Sequence, residues 1–74
     1  MREKIIAAMS VVFELEADRF PEEIYQENIE NWDSLRHLNL IVELEDRFDV
    51  SYEPEEISEM TSLDKIMEVT KSKI

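Results

Sequence analysis

Apolar residues recur at helical spacing along most of the chain. Over residues 2 to 16, Ile5, Ile6, Met9, Val12 and Phe13 fall at i, i+1, i+4, i+7 and i+8, while Glu3, Glu14 and Glu16 stay outside that stripe. The pattern predicts a first amphipathic helix. Residues 17 to 32 lose the period: Pro21 cannot donate to a preceding helical turn, and Phe20, Ile24, Tyr25, Ile29 and Trp32 are scattered between acids. They read as a long ordered first loop, with a helical turn after Pro21 and aromatics pinned to the core. A second helix is expected from Asp33, a good N-cap whose carboxylate suits the positive helix end. It carries Leu35, Leu38, Leu40, Ile41, Val42, Leu44 and Phe48, an arc wide enough to place it centrally with neighbours on two sides. Pro54 suits the first position of a short helix containing Glu55, Glu56 and Ile57. Thr61 or Ser62 is expected to cap the last helix, with Asp64 three residues after Thr61 as in a capping box. That helix presents Leu63, Ile66, Met67 and Ile74, with Lys71 and Lys73 near its end. The predicted fold class is all-α: a three-to-four-helix bundle with a long first loop and a short third helix, in one domain over residues 1–74.

Composition narrows the function. A chain of 74 residues buries a small share of its surface, and an enclosed active site would compete with the core for the same residues. A carrier or binding role is expected in place of self-contained catalysis. The 19 acidic and 8 basic residues give a net charge of −11, which repels nucleic acid and anionic membranes and favours partners with basic patches, besides aiding solubility. The absence of Cys excludes disulfides and thiolate metal sites. The absence of Gly excludes Gly-rich phosphate loops and the EF-hand reading of the acidic clusters, and no metal site is expected. No apolar run approaches the roughly 18 residues of a membrane span, and no signal-peptide pattern opens the sequence. A cytoplasmic monomer is the expectation.

The stretch Trp32-Asp33-Ser34-Leu35 carries the most specific chemistry. Asp-Ser-Leu at the head of a long apolar-acidic helix resembles the attachment motif of acyl carrier proteins. Leu44-Glu45-Asp46-Arg47-Phe48-Asp49 is similar to that family's leucine-acidic-phenylalanine close of the same helix. A short acidic helix and a Thr-Ser-Leu start to the final one follow in matching order. Asp-Ser-Leu alone is a weak signal; the tripeptide together with helix order, length and charge is a strong one, and it covers essentially the whole chain.

The resemblance implies an acyl-carrier-type bundle. A phosphopantetheinyl transferase would use coenzyme A and magnesium to place 4′-phosphopantetheine on Ser34, and the arm's thiol would carry acyl groups as thioesters. Further partners implied are an acyl ligase, synthase or acyltransferase with basic patches, docking on the helix that starts at Asp33. Asp33 would cap that helix and contact the transferase. Leu35, Glu43, Glu45, Asp46 and Asp49 are the expected partner contacts, each acid having a solvated helix face as its bland alternative. Leu38, Val42, Tyr52, Ile57 and Met60 are the candidates for a groove between helices that shelters an acyl chain, with plain core packing as the alternative. The sequence departs from the family's common pattern at Trp32, Arg36, His37 and Asn39. Trp32 is expected to pack the loop onto the core. The other three lighten the charge of the first helical turns and point to a dedicated pathway, not ordinary fatty-acid synthesis. Three other readings compete: an aminoacyl or peptidyl carrier, an unmodified acidic interaction module, and a hydrolase using Ser34 with His37, three residues away on one helix face.

Overall fold

The computed structural model describes residues 1–74 and is an all-α bundle. Helix α1 runs Arg2–Phe13, α2 Ser34–Phe48, α3 Pro54–Glu59 and α4 Leu63–Lys71. Fourteen buried side chains form one cluster, to which α1 contributes Ile5, Ala8, Met9 and Phe13, α2 Leu40, Ile41 and Leu44, and α4 Leu63 and Ile66. The first stripe read from the sequence is therefore the buried face of α1, with Ile6 and Val12 packed at its margin. Helix α1 lies against both α2 and α4. No helix is long and apolar enough to cross a membrane.

Two expectations change. The wide apolar arc of α2 is only partly buried. Leu40, Ile41 and Leu44 point inward, whereas Leu35, Leu38 and Val42 face solvent. The capping box expected at Thr61 and Asp64 does not form either: Ser62 caps α4 by accepting the Lys65 N–H at 3.1 Å. A capping box forms instead at α3, between Glu53 and Glu56, with Pro54 opening the helix.

The long connection, residues 14 to 33, holds two single 3-10 turns, Ala17–Arg19 and Gln26–Asn28, and no helical turn directly after Pro21. Its buried side chains are Ile24, Ile29 and Trp32, while Tyr25 is exposed. An isolated antiparallel bridge joins Tyr25 to Ser62 and fastens the loop to the start of α4. Behind α3, the Tyr52 hydroxyl and Thr70 Oγ1 share a buried hydrogen bond of 2.6 Å, and burial pushes the Tyr52 phenol up from its ordinary value. Lys73 ties the chain's end to α3 through Glu56 at 2.8 Å. The Glu53 backbone N–H, and after it Lys73, hold the Glu56 carboxyl below the usual carboxylate range.

Without glycine, the chain ends α1 and α2 on side-chain-bearing residues in the left-handed region: Glu14 at φ 54° and Asp49 at φ 55°. A Cβ is disfavoured there, and an acid at a helix C-terminus also opposes the dipole. Asp49→Gly is expected to stabilise the fold by about 0.5–1 kcal/mol. A rise in the urea midpoint at unchanged slope is the readout. An unchanged or lower midpoint would contradict the strain at that cap.

Candidate functional site

The end of α1 and the start of α2 are bound together by polar groups that the last turn of α1 leaves open. The final carbonyls of a helix lack intrahelical partners. Arg36 Nη1 donates to Val12 O at 2.6 Å, and Asn31 Nδ2 donates to Phe13 O at 2.8 Å. Arg36 Nη2 also meets Glu14 at 3.0 Å. The guanidinium is thus turned back toward α1 and shared with an acid, and it does little to lighten the charge on the outer face of α2. Trp32 is buried between the Phe13 ring at 5.1 Å and the His37 ring at 5.9 Å. Its carbonyl accepts from Gln26 Nε2 at 3.3 Å. The expected packing of Trp32 onto the core is what the structure has, and it fixes the approach to the next two residues.

Asp33 is the N-cap of α2. Its Oδ1 accepts the Arg36 N–H at 2.8 Å, and its carbonyl accepts the His37 N–H at 2.8 Å. Ser34 is the first residue of the helix and is exposed. The backbone N–H groups of Ser34 and Leu35 have no partner in the chain, as expected for a first helical turn. The other serines sharpen the contrast. Ser10, Ser58 and Ser72 donate their hydroxyls to backbone carbonyls, and Ser62 uses its own as a cap. Only Ser34 and Ser51 keep hydroxyls without such a bond, and Ser51 lies in the connection between α2 and α3, not at a helix start.

Asp33→Ala is expected to cost about 1 kcal/mol, the usual worth of a side-chain cap. Faster hydrogen exchange at the Arg36 amide localises the effect. Asp33→Asn should restore most of the stability, because the amide oxygen still accepts. Failure of Asn to rescue would mean that the negative charge, not the cap, carries the effect.

His37 does not serve Ser34 as a base. Its Nδ1 accepts the Trp32 Nε1–H at 2.9 Å, and its Nε2 lies 2.7 Å from the Ile57 carbonyl, which can only accept. The proton therefore sits on Nε2, and the ring's lone pair is taken by the indole. This arrangement removes the Ser34–His37 pair on which the hydrolase reading depended.

The acids divide. Glu43 pairs with Arg47 at 2.7 Å, and Glu45 accepts the Tyr52 N–H at 2.9 Å, so both serve the fold. Asp46 and Asp49 are exposed and unpaired. Leu35, Leu38 and Val42 are 69%, 56% and 65% exposed, far above the core leucines of the same helix. At i, i+3 and i+7 they form a stripe about 10 Å long that starts beside Ser34 and runs toward Asp46 and Asp49. Leu38 and Val42 are accordingly corrected from groove lining to outer face. Tyr52 and Met60 are buried core, and Ile57 packs at its edge. None of these five lines a cavity. The two concavities, of about 150 and 270 Å³, lie around Tyr25 and Ser62, and half of the smaller one's lining is charged, from Arg2, Glu22, Glu23 and Asp64.

Sequence reasoning missed the outward stripe and the clamp by Arg36 and Asn31. The stripe had a signal: Leu35, Leu38 and Val42 lie about opposite Leu40, Ile41 and Leu44 on a helical wheel. The clamp had none, since it joins residues 18 and 24 positions apart. No group of three or more His, Asp and Glu side chains converges to hold a metal ion. Compared with known families and characterised proteins, the chain matches no family model and no relative.

Proposed function

We propose that the chain is an acyl carrier, with 4′-phosphopantetheine esterified to Ser34 Oγ by a partner transferase. The observation that carries this reading is the exposed Ser34 hydroxyl at the first position of α2, beside two free backbone N–H groups. A phosphodiester fits there, because open donors and the positive end of a 15-residue helix both favour negative charge. Once attached, the arm would supply a terminal thiol that holds an acyl group as a thioester.

The chain's own residues do the presenting. Trp32, clamped from three sides, and Asp33, spent on its cap, keep the Ser34 backbone in one place. Arg36 and Asn31 lock that corner onto α1. No base is needed on this chain if the transferase takes the Ser34 proton. The stripe of Leu35, Leu38 and Val42 offers an apolar contact beside the attachment point, and Asp46 and Asp49 extend it with charge. That combination suits an enzyme with an apolar groove and a basic rim, and the −11 net charge speeds the encounter. Transferase, ligase, synthase or acyltransferase partners would share this face.

The same stripe also supports a second reading, an unmodified interaction module, because it is complete without any arm. One experiment separates them. Incubation with coenzyme A, magnesium and a broad-specificity transferase should raise the intact mass by about 340 Da, a covalent modification of one residue. No gain, with a control carrier loaded in the same tube, would leave the interaction module.

A further inference from the structure

The single histidine and the single tryptophan of this chain are bonded to each other, five residues apart, across the approach to Ser34. His37 also reaches α3 through the Ile57 carbonyl. The imidazole is thus a bridge between three pieces: the loop end, α2 and α3. Its two bonds have opposite polarity. Nδ1 must accept from the indole N–H, while Nε2 must donate to the carbonyl. Only the neutral ring, with its proton on Nε2, can make both.

From this geometry we infer that His37 is an acid-sensitive latch on the Trp32 segment that leads into Ser34. A protonated imidazole is a donor at both nitrogens. Its Nδ1–H would confront the Trp32 Nε1–H, donor against donor, while the bond to Ile57 O survives. Acidification therefore releases the loop side and keeps the α3 side. The segment freed is Trp32, the residue before the cap of α2. The latch is closed while the ring is neutral and opens when Nδ1 takes up a proton.

Neighbouring charges do not occupy the ring. On its own helix, Asp33 caps the Arg36 N–H, and Arg36 turns back to Val12 and Glu14. On α3, Glu53 and Glu56 bind each other's ends of the capping box, and Glu56 also holds Lys73 from beyond α4. Glu55 and Glu59 are exposed. From α1 the group packed on Trp32 is the uncharged Phe13 ring. Both hydrogen-bond partners of the imidazole are neutral, so its own protonation decides the bond.

The test uses the unmodified full chain, so its outcome does not depend on whether Ser34 is ever loaded. The lone indole N–H gives one unambiguous signal in an ¹H–¹⁵N spectrum. At neutral pH the ring nitrogens should report a proton on Nε2 and an accepting Nδ1. Indole exchange is then compared with that of His37→Gln at each pH between about 8 and 5. Gln carries a carbonyl to accept and an amide to donate, and it does not titrate. The expected ratio of exchange rates, wild type to His37→Gln, is near one at neutral pH and rises at least tenfold as the imidazole is protonated. His37→Phe should exchange fast throughout. A proton on Nδ1 at neutral pH, or an indole that stays as protected as in His37→Gln after the ring is protonated, would overturn the latch.

Discussion

Ser34→Ala is expected to lose loading completely while leaving the fold as it is. The two halves of that expectation come from different observations. Ser34 is exposed and its hydroxyl makes no bond that the fold uses, and Ala is the best helix former, so the stability change should stay within about 0.5 kcal/mol. Loading, by contrast, needs an oxygen at that position to form the ester. No other serine offers the same combination: Ser62, also at a helix start, spends its hydroxyl on the Lys65 N–H. Intact mass after incubation with coenzyme A and transferase should therefore stay at the unmodified value, while circular dichroism and the thermal midpoint match wild type. A Ser34→Ala variant that still gains the arm would move attachment elsewhere and end the proposed role of this corner. Ser34→Cys is a useful companion, since it keeps a nucleophile but changes its chemistry.

Phe13→Ala is expected to be the most destabilising of the substitutions considered. Phe13 is fully buried at the end of α1, and its ring lies 5.1 Å from Trp32. Removing a buried phenyl ring costs about 3–5 kcal/mol, combining lost transfer energy with the cavity left behind. A domain of this size has a total stability of about 4–11 kcal/mol by per-residue scaling. The variant should therefore lose a large part of its stability, with a fall in thermal midpoint on the order of 20 °C. Leu38→Ala is the control. It removes an exposed leucine, 56% accessible, and should change stability by less than about 0.5 kcal/mol. If the outer stripe contacts the transferase, Leu38→Ala slows loading without touching the midpoint. Equal destabilisation by the two would mean that Leu38 is packed, not presented.

The elements were legible where most apolar residues of a helix shared one side, or where a breaker marked its start. The stripe Ile5, Met9 and Phe13 gave α1, and Pro54 with its following acids gave α3. The apolar residues of α2 gave its existence but not its orientation. They serve two purposes on opposite faces: Leu40, Ile41 and Leu44 hold the core, while Leu35, Leu38 and Val42 meet solvent. Hydrophobicity alone reads both sets as inward-facing and places Leu38 and Val42 in a groove between helices. Ser34 and Asp33 were legible because helix-start chemistry is local. The surroundings of Ser34 were not. Arg36 reaching Val12, Asn31 reaching Phe13 and His37 reaching Ile57 are bonds between residues distant in sequence, set by how the helices pack. Glu43 and Glu45 look like solvated charges in sequence, yet one pairs with Arg47 and the other accepts a backbone N–H from the next connection.

A single hydroxyl at the head of α2 carries the whole functional reading, and fragment-ion mass mapping addresses it directly. The folded wild-type chain is loaded with coenzyme A and transferase, digested, and the peptide spanning Trp32 to Arg36 is sequenced in the gas phase. The expected result places the added mass on Ser34 alone. Addition at Ser51, the other serine whose hydroxyl is free, or no addition at all under conditions that load a control carrier, would contradict it.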